Sequence, residues 1–134
     1  MIPKFRAWHN ELGRMMSIKN MWFQDSRIEE LELNDAVMND HITAYPDEIE
    51  LMQSTGLFDR NGQEIFEGDV VRQVRTQPTI ENETITGVVT MLEGAWLIVN
   101  DNEQLASDLW SETDENEILG NIYESPQLLE GEEK

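Results

Sequence analysis

A segment with two closely spaced turn signals, residues 51–72 (LMQSTGLFDRNGQEIFEGDVVR), constrains the fold of this chain more than any other. Residues 59–62 (DRNG) have the composition of a tight turn, because Asn and Gly tolerate the positive φ that hairpin turns require. Residues 67–69 (EGD) form a second turn signal, in which Gly68 can adopt positive φ. Together the two turns predict a sheet that is bent back on itself, as at the start of small, strongly bent β-barrels.

Strands are predicted on both sides of these turns. The chain enters extended over residues 49–52, and residues 63–66 form a short strand or a single helical turn. A β-branched strand follows over residues 69–75. Leu57 and Phe58, which lie just before the first turn, are expected to pack inward.

The rest of the chain is also predicted to be mainly β, with one or two short helical turns. Alternation and β-branched content place further strands at residues 2–8, 14–18, 84–92, 95–100 and 118–123. Turns are predicted at residues 10–13 and 93–94, and a loop at residues 76–83.

Two segments near the carboxyl end carry more specific expectations. Leu105, Leu109 and Trp110 are spaced to anchor either a strand or a short helical turn. Pro126 favours one turn of helix, from which Leu128 and Leu129 pack back. Residues 130–134 are predicted to be a disordered acidic tail.

The acidic segment 25–47 is the least patterned part of the sequence. Leu31 and Leu33 fit a strand face better than a helical face, and a mobile acidic loop or a charged edge strand is the preferred interpretation. A short helix is the alternative. Pro46 ends whatever element precedes it and favours an extended Tyr45.

Composition bounds the function. The formal net charge is −19, from 28 acidic and 9 basic residues, and a field of this sign repels phosphate backbones and anionic lipid. Direct nucleic-acid or membrane binding is therefore disfavoured.

The chain has no cysteine, no apolar stretch after its first basic residues and no run with the length of a membrane span. These features suit a cytoplasmic protein, and 134 residues suit a single domain.

Metal and nucleophile chemistry finds little support. Residues 59–62 look like a fragment of a calcium loop, but aligning Gly62 with the invariant glycine puts Leu57 and Gly68 at ligand positions. His9 and His41 lack a His or Cys partner at ligand spacing, so both are interpreted as ordinary surface or loop residues. No metal or cofactor site is predicted.

A carboxylate cluster around the second turn is the remaining catalytic candidate. Glu64, Glu67 and Asp69 could in principle support acid–base or metal-assisted hydrolysis. Acids beside a glycine turn are ordinarily solvated, however, and Asp69 is expected to accept hydrogen bonds from backbone amides of the turn. The chain also lacks phosphate-loop, dinucleotide and nucleophile-elbow motifs. We therefore predict no catalytic residues and no enzymatic activity.

An apolar patch is the candidate interaction site. Met21, Trp22 and Phe23 end a dense run of Met, Ile and aromatic residues that starts at Met15. Such a stripe is typical of a core or of a subunit interface. These three residues are predicted as a protein interface.

Three motifs give the chain a resemblance to a known family. They are KFRAW at residues 4–8, a central group ending in EGDVV at residues 67–71, and GNIYESPQLL at residues 120–129. In this order they are similar to the YopX-like proteins of bacteriophages and prophages. The resemblance implies one mainly β domain over residues 1–129 with an SH3-like barrel component, in which residues 25–47 are a variable acidic insert. It implies no activity.

Two classes of function are consistent with these features. The first is a phage- or prophage-encoded, non-enzymatic module for protein–protein interaction or self-assembly in the cytoplasm of the host bacterium. The alternative is an acidic decoy whose carboxylates imitate nucleic-acid phosphates and bind a basic host protein. A hydrolase would require Glu64, Glu67 and Asp69 to converge in a concave pocket.

Overall fold

The computed structural model describes residues 4–35, 40–74, 84–111 and 114–130, and the fold is mainly antiparallel β, as predicted. The strands are β1 (Phe5–His9), β2 (Arg14–Gln24), β3 (Arg27–Asp35), β4 (Asp40–Ala44), β5 (Ile49–Phe58), β6 (Glu64–Phe66), β7 (Asp69–Val74), β8 (Thr84–Leu92), β9 (Ala95–Asn100), β10 (Leu105–Asp108) and β11 (Glu115–Asn121). The two short helical segments are a 3-10 turn (Pro46–Glu48) and α1 (Gln127–Glu130). The chain forms two compact units, which meet in sequence between Gln53 and Ser54 within β5.

The amino-terminal unit is an antiparallel sheet in the order β4-β3-β2-β1-β5. The predicted hairpin of β1 and β2 is confirmed, with Ala7 opposite Met16 and the turn closed by a 2.8 Å bond from the Gly13 amide to the His9 carbonyl. Strand alternation points the apolar side chains of this sheet into one core. Its buried members are Ala7, Met16, Leu31, Leu33, Ala44 and Ile49.

The short connection between β4 and β5 indicates that this sheet is strongly curved, although the sequence places the predicted bend at the glycine turns of residues 51–72. In a flat sheet these strands, at opposite edges, would lie about 19 Å apart, four spacings of about 4.8 Å. Only residues 45–48 join them, and three of these form the 3-10 turn, which rises about 2 Å per residue. Because so short a connection cannot cross a flat sheet, the sheet must curve until its edges approach one another.

The acidic segment 25–47 differs from its prediction. It is not a mobile loop, because β3 lies between β2 and β4 with Leu31 and Leu33 fully buried. Of the strands in this segment, only β4 lies at an edge of the sheet. The carboxylates of Glu30 and Glu32 alternate with the core residues of β3, which is the pattern of a strand with one buried face. Residues 36–39 lie outside the described residues.

The carboxyl-terminal unit contains the second half of β5, which pairs with β6, and a five-stranded sheet in the order β10-β9-β8-β7-β11. The predicted strands over 84–92 and 95–100 are confirmed at the same bounds. Their hairpin turn has positive φ at both Glu93 and Gly94, as a primed turn requires. The buried core comprises Ile65, Val71, Ile85, Val89, Ile98 and Leu109.

Neither sheet closes into a barrel within the described residues, so the SH3-like barrel component implied by the resemblance is not formed by a strand ladder. In the carboxyl-terminal unit β10 and β11 are opposite edges of the sheet, and side chains rather than backbone pairing bridge them. The bridge is part of the candidate site described below.

Both predicted glycine turns of the central segment are present. Gly62 and Gly68 have φ of 82° and 90°, in the region that favours glycine. Gly68 donates its amide to the Val89 carbonyl at 3.0 Å and accepts the Ile122 amide at 3.0 Å. The second turn therefore ties β7, β8 and the end of β11 together. Of the predicted segment 63–66, residues 64–66 form the strand alternative, β6.

Some boundaries and orientations differ from their predictions. Leu57 packs against the second core, but Phe58 is 61% exposed, because consecutive strand residues face opposite sides. The closing strand runs over 115–121 rather than 118–123. It ends at Asn121 because the Asn121 side chain accepts the Tyr123 and Glu124 amides and turns the chain.

The carboxyl-terminal helical turn is confirmed as α1. Leu128 packs back against the chain as predicted, since a Cβ built on Gly120 would lie 2.8 Å from Leu128 Cδ1. The predictions for the 76–83 loop, the Leu129 side chain and residues 131–134 of the tail lie outside the described residues. Glu130, predicted as part of the disordered tail, is instead the last residue of α1.

Candidate functional site

The edges of the second sheet are joined by the amide of Gln73, which is fully buried on β7. Its Nε2 donates to the Asp108 carbonyl at 3.1 Å and to Asn116 Oδ1 at 3.0 Å. Its Oε1 accepts the Ser107 hydroxyl at 3.0 Å. Asn116 Nδ2 completes the bridge by donating to the Leu109 carbonyl at 3.0 Å. We call this junction of β10 and β11 the seam.

Asp59 anchors the glycine loop that lies beside the seam. Its Oδ1 accepts the Asn61 and Gln63 amides at 2.9 Å each, and its Oδ2 accepts the Ile118 amide at 3.1 Å. Burial by itself raises the pKa of this carboxyl. The net pKa is nevertheless below its usual value, because the carboxylate accepts three backbone amides and lies near the Arg60 guanidinium. The ionised side chain thus fixes the loop against β11.

A groove of 370 Å³ opens along the seam, and we call it the seam groove. It is lined by residues 57–60, 109–111 and 114–116. Leu57 and Leu109 belong to the core beneath it. Two aromatic side chains stand in solvent along it, Phe58 at 61% exposure and Trp110 at 60%. These are large apolar surfaces for a protein to leave uncovered.

The charged groups of the seam groove are mostly acidic. Asp59, Asp114 and Glu115 carry three negative charges against the single positive charge of Arg60. Arg60 reaches Glu115 at 3.8 Å, and about half of each side chain is exposed. An exposed ion pair this long contributes little, about 0–1 kcal/mol.

Two backbone groups on the groove side of β11 are already paired. The Arg60 amide donates to the Asn116 carbonyl at 2.9 Å, and the Ile118 amide donates to Asp59. A ligand cannot add a strand to these groups without displacing the loop. Recognition in the seam groove must therefore depend mainly on side chains.

Comparison with known proteins gives the chain its relatives. The model of the family described as "YopX protein" matches residues 4–130. The chain belongs to the YopX family. Its fold is similar to that of protein EF1440 from Enterococcus faecalis, with a TM-score of 0.65, 26% identity, and coverage of 96% of this chain and 99% of that one.

A second solved structure shares the fold. It is the protein yopX from Bacillus subtilis, with a TM-score of 0.61, 16% identity, and coverage of 94% of this chain and 97% of that one. Neither name states an activity or a ligand. A search of curated proteins finds no match. The family resemblance drawn from the three motifs is thereby confirmed.

The YopX fold separates the three residues predicted as an interface. Met21 lies in β2 opposite Leu31 and packs against the first core. Phe23 faces the same side but lies near the end of the hairpin at 60% exposure. Trp22, 46% exposed, faces the other side, opposite Glu30. An interface built from this strand would use Trp22 or Phe23, since Met21 is partly covered by the core.

The carboxylates of the second turn are engaged in structural contacts. Glu64 accepts the Ser54 hydroxyl, and Asp69, which is buried, accepts the Phe66 amide at 2.8 Å as the sequence predicts. Among the described residues, no three His, Asp or Glu side chains are grouped to hold a metal ion. Residues 59–62 form a turn held by Asp59 rather than a calcium loop.

The two histidines occupy different environments. His9 is buried, contrary to prediction, and its Nδ1 accepts the Leu12 amide at 3.1 Å, which shapes the β1–β2 turn. His41 lies exposed on β4, in agreement with the prediction. In the part of the chain that the structure describes, no helix has the length and hydropathy needed to cross a membrane.

Proposed function

We propose that this YopX-family chain is a non-enzymatic interaction module and that the seam groove is its partner-binding site. One observation carries the proposal: Phe58 and Trp110 are both about 60% exposed along a single groove. Aromatic residues are enriched at protein interfaces, where a few of them supply most of the binding energy. Exposed together on a concave surface, they favour a docking role over a purely structural one.

Asp59 of the groove and two of the carboxylates considered for hydrolysis, Glu64 and Asp69, have structural roles. The Asp59 carboxylate is buried and accepts three backbone amides, so it is committed to holding the loop. Asp69 caps its own turn, and Glu64 accepts the Ser54 hydroxyl. General acid–base chemistry needs a carboxyl within reach of a reacting atom in a cleft, and these three have structural partners instead.

The acidic decoy remains the second candidate from composition, with a net charge of −19. A phosphate mimic is favoured by regularly spaced carboxylates on one face. The exposed acids instead occur on turns and strands of both units, including Glu11, Asp25, Glu50, Glu93, Asp101 and Glu115. We therefore prefer the interaction module. We further propose that the protein is encoded by a phage or prophage and acts in the bacterial cytoplasm, in line with its cysteine-free sequence.

The test compares two exposed tryptophans. Trp110→Ala removes one side of the seam groove, whereas Trp22→Ala removes an exposed tryptophan from the hairpin of the other unit. Each tagged variant is used to capture proteins from bacterial lysate at low and high salt, after urea unfolding has established equal stability. We expect Trp110→Ala to lose the partner and Trp22→Ala to keep it.

Two results would contradict this assignment. Loss of the partner only in Trp22→Ala would place the interface on the hairpin predicted from the sequence. Capture that is indifferent to both tryptophans but collapses in high salt would favour the decoy, because screening removes long-range charge attraction. The mass of the native particle, measured in parallel, distinguishes self-assembly from binding of another protein.

A further inference from the structure

We infer that the occupant of the seam groove is an extended, arginine-containing segment of a different protein. This inference rests on the proposed function and specifies the chemistry of the partner. Three properties of the groove lead to it: its aromatic walls, its charge balance and the occupied backbone of β11.

The aromatic walls suit a cationic side chain with an apolar stem. Trp110 offers the ring type that attracts a guanidinium most strongly, and Phe58 adds a second face. Arginine also stacks flat on aromatic rings and buries its methylene groups against them. The neighbouring Leu57, which is half-buried, adds apolar surface for the residues that flank the arginine.

The charge balance disfavours anionic occupants and a second copy of this chain. The lining carries three acids against one base, within a chain of net charge −19. A nucleic acid or an acidic peptide would be repelled. A second copy of this chain would bring another 19 negative charges toward the groove, so self-association is disfavoured here as well.

Arg60 and Glu115 provide an exchange site for the incoming cation. Their contact is long at 3.8 Å, and both side chains are about half exposed, so the pair is easily opened. A guanidinium from the partner can replace Arg60 beside Glu115 and reach two oxygens at once. Arg60 is then a competitor of the ligand, whereas for an anionic ligand it would be the anchor.

The occupied backbone determines how the segment lies. Because Asn116 and Ile118 already bond the glycine loop, strand addition at these positions is blocked. An extended segment that presents side chains and needs no ladder fits this surface. Polyproline-type peptides bind aromatic-lined grooves in this way.

The inference is tested with the full chain and four labelled ten-residue peptides in fluorescence anisotropy titrations. The first peptide alternates arginine with proline and leucine, and the second and third carry glutamine or glutamate in place of arginine. The fourth keeps the arginines but replaces proline and leucine by glycine. We expect the first peptide to bind at least about tenfold more tightly than each of the others, because only its side chains can both pack on the aromatic rings and pair with the groove carboxylates.

Variants of the chain separate specific binding from general attraction of cations. We expect Trp110→Ala to weaken binding of the first peptide about 5- to 30-fold and Glu115→Gln about 2- to 5-fold. Arg60→Gln should strengthen it by a factor of about 2 to 5, since Glu115 loses its internal competitor. Glu50→Gln removes the same charge from an exposed position outside the groove and is expected to change binding less than about twofold.

The outcomes distinguish the inference from the proposed function. If the glutamine peptide binds as tightly as the arginine peptide and both depend on Trp110, the groove is an interface but its partner is not basic, and the inference fails alone. Weaker binding after Arg60→Gln would also overturn it. If the arginine peptide binds equally well to Trp110→Ala, its attraction is general and the assignment of the groove fails too.

Discussion

Replacing Gln73 by leucine tests whether side-chain amides hold the seam of the second sheet. The substitution keeps the approximate volume but removes one acceptor and the donors that reach Asp108 and Asn116. Three hydrogen bonds of about 1 kcal/mol each are lost, and Asn116 Oδ1 loses its buried donor. The apolar side chain recovers about 1 kcal/mol through burial. We expect a net loss of about 2–4 kcal/mol in the free energy of unfolding.

Urea unfolding followed by tryptophan fluorescence and far-UV circular dichroism measures this loss. Trp96 packs against the second core and reports on the unit that contains the seam. Gln24→Leu, at an exposed position in β2, serves as the matched control and should lie within about 0.5 kcal/mol of the unchanged chain. A Gln73→Leu variant as stable as this control would refute the bridging role.

A second substitution at the same position gives a pH readout. Gln73→Glu places a carboxyl against the acceptor oxygens of Asp108 and Asn116. Burial disfavours the ionised form of the new carboxyl and raises its folded-state pKa. The loss in free energy of unfolding is therefore small at pH below about 4 and grows as pH rises through the pKa of this carboxyl in the unfolded chain. A difference from the unchanged chain that is constant between pH 4 and 7 would contradict this reasoning.

Three further substitutions probe the turns and the sheet. Gly68→Val is expected to lose several kcal/mol, because a β-branched residue strains at φ 90°, and unchanged thermal stability would contradict this. Asp59→Asn should lower the free energy of unfolding by about 1–2 kcal/mol at neutral pH. Because the pKa of Asp59 is lower in the folded than in the unfolded chain, its stabilisation is present above the unfolded-state pKa and is lost as pH falls through the folded-state pKa. The urea unfolding curves of the variant and the unchanged chain should therefore converge in acid. Gly87→Ala is expected to lower the free energy of unfolding in urea by about 1–3 kcal/mol, because its Cβ would lie 2.6 Å from the Val99 carbonyl oxygen. Equal urea midpoints for the variant and the unchanged chain would show that β9 shifts without cost.

The sequence predicts the strands of the carboxyl-terminal unit well because local signals agree there. Residues 84–92 combine β-branched content with a glycine turn that follows them, and both indicate the same hairpin. The segment 25–47 is predicted less well. Acidic residues alternate with Leu31 and Leu33, so the strand face is visible, but the neighbours that place β3 inside a sheet are distant in sequence.

The candidate site is largely invisible in the sequence. Phe58 and Trp110 are 52 positions apart, and nothing local to either indicates that they line one groove. Gln73 offers a weak signal, because it shares a strand face with the buried Val71 and so occupies a core position in the alternation. A polar residue at such a position needs partners, but the chain pattern does not identify Ser107, Asp108 and Asn116.

The position of β1 in the middle of its sheet affects how this protein is made. β1 pairs with β2 across a short turn, but it pairs with β5 through residues such as Trp8 and Glu50, which are 42 positions apart. Long loops of this kind close slowly. During synthesis one edge of β1 therefore stays unpaired until β5 leaves the ribosome. An unpaired edge can form hydrogen bonds with a neighbouring nascent chain. Slowing translation before β5 has left the ribosome should accordingly increase aggregation, whereas slowing it afterwards should not.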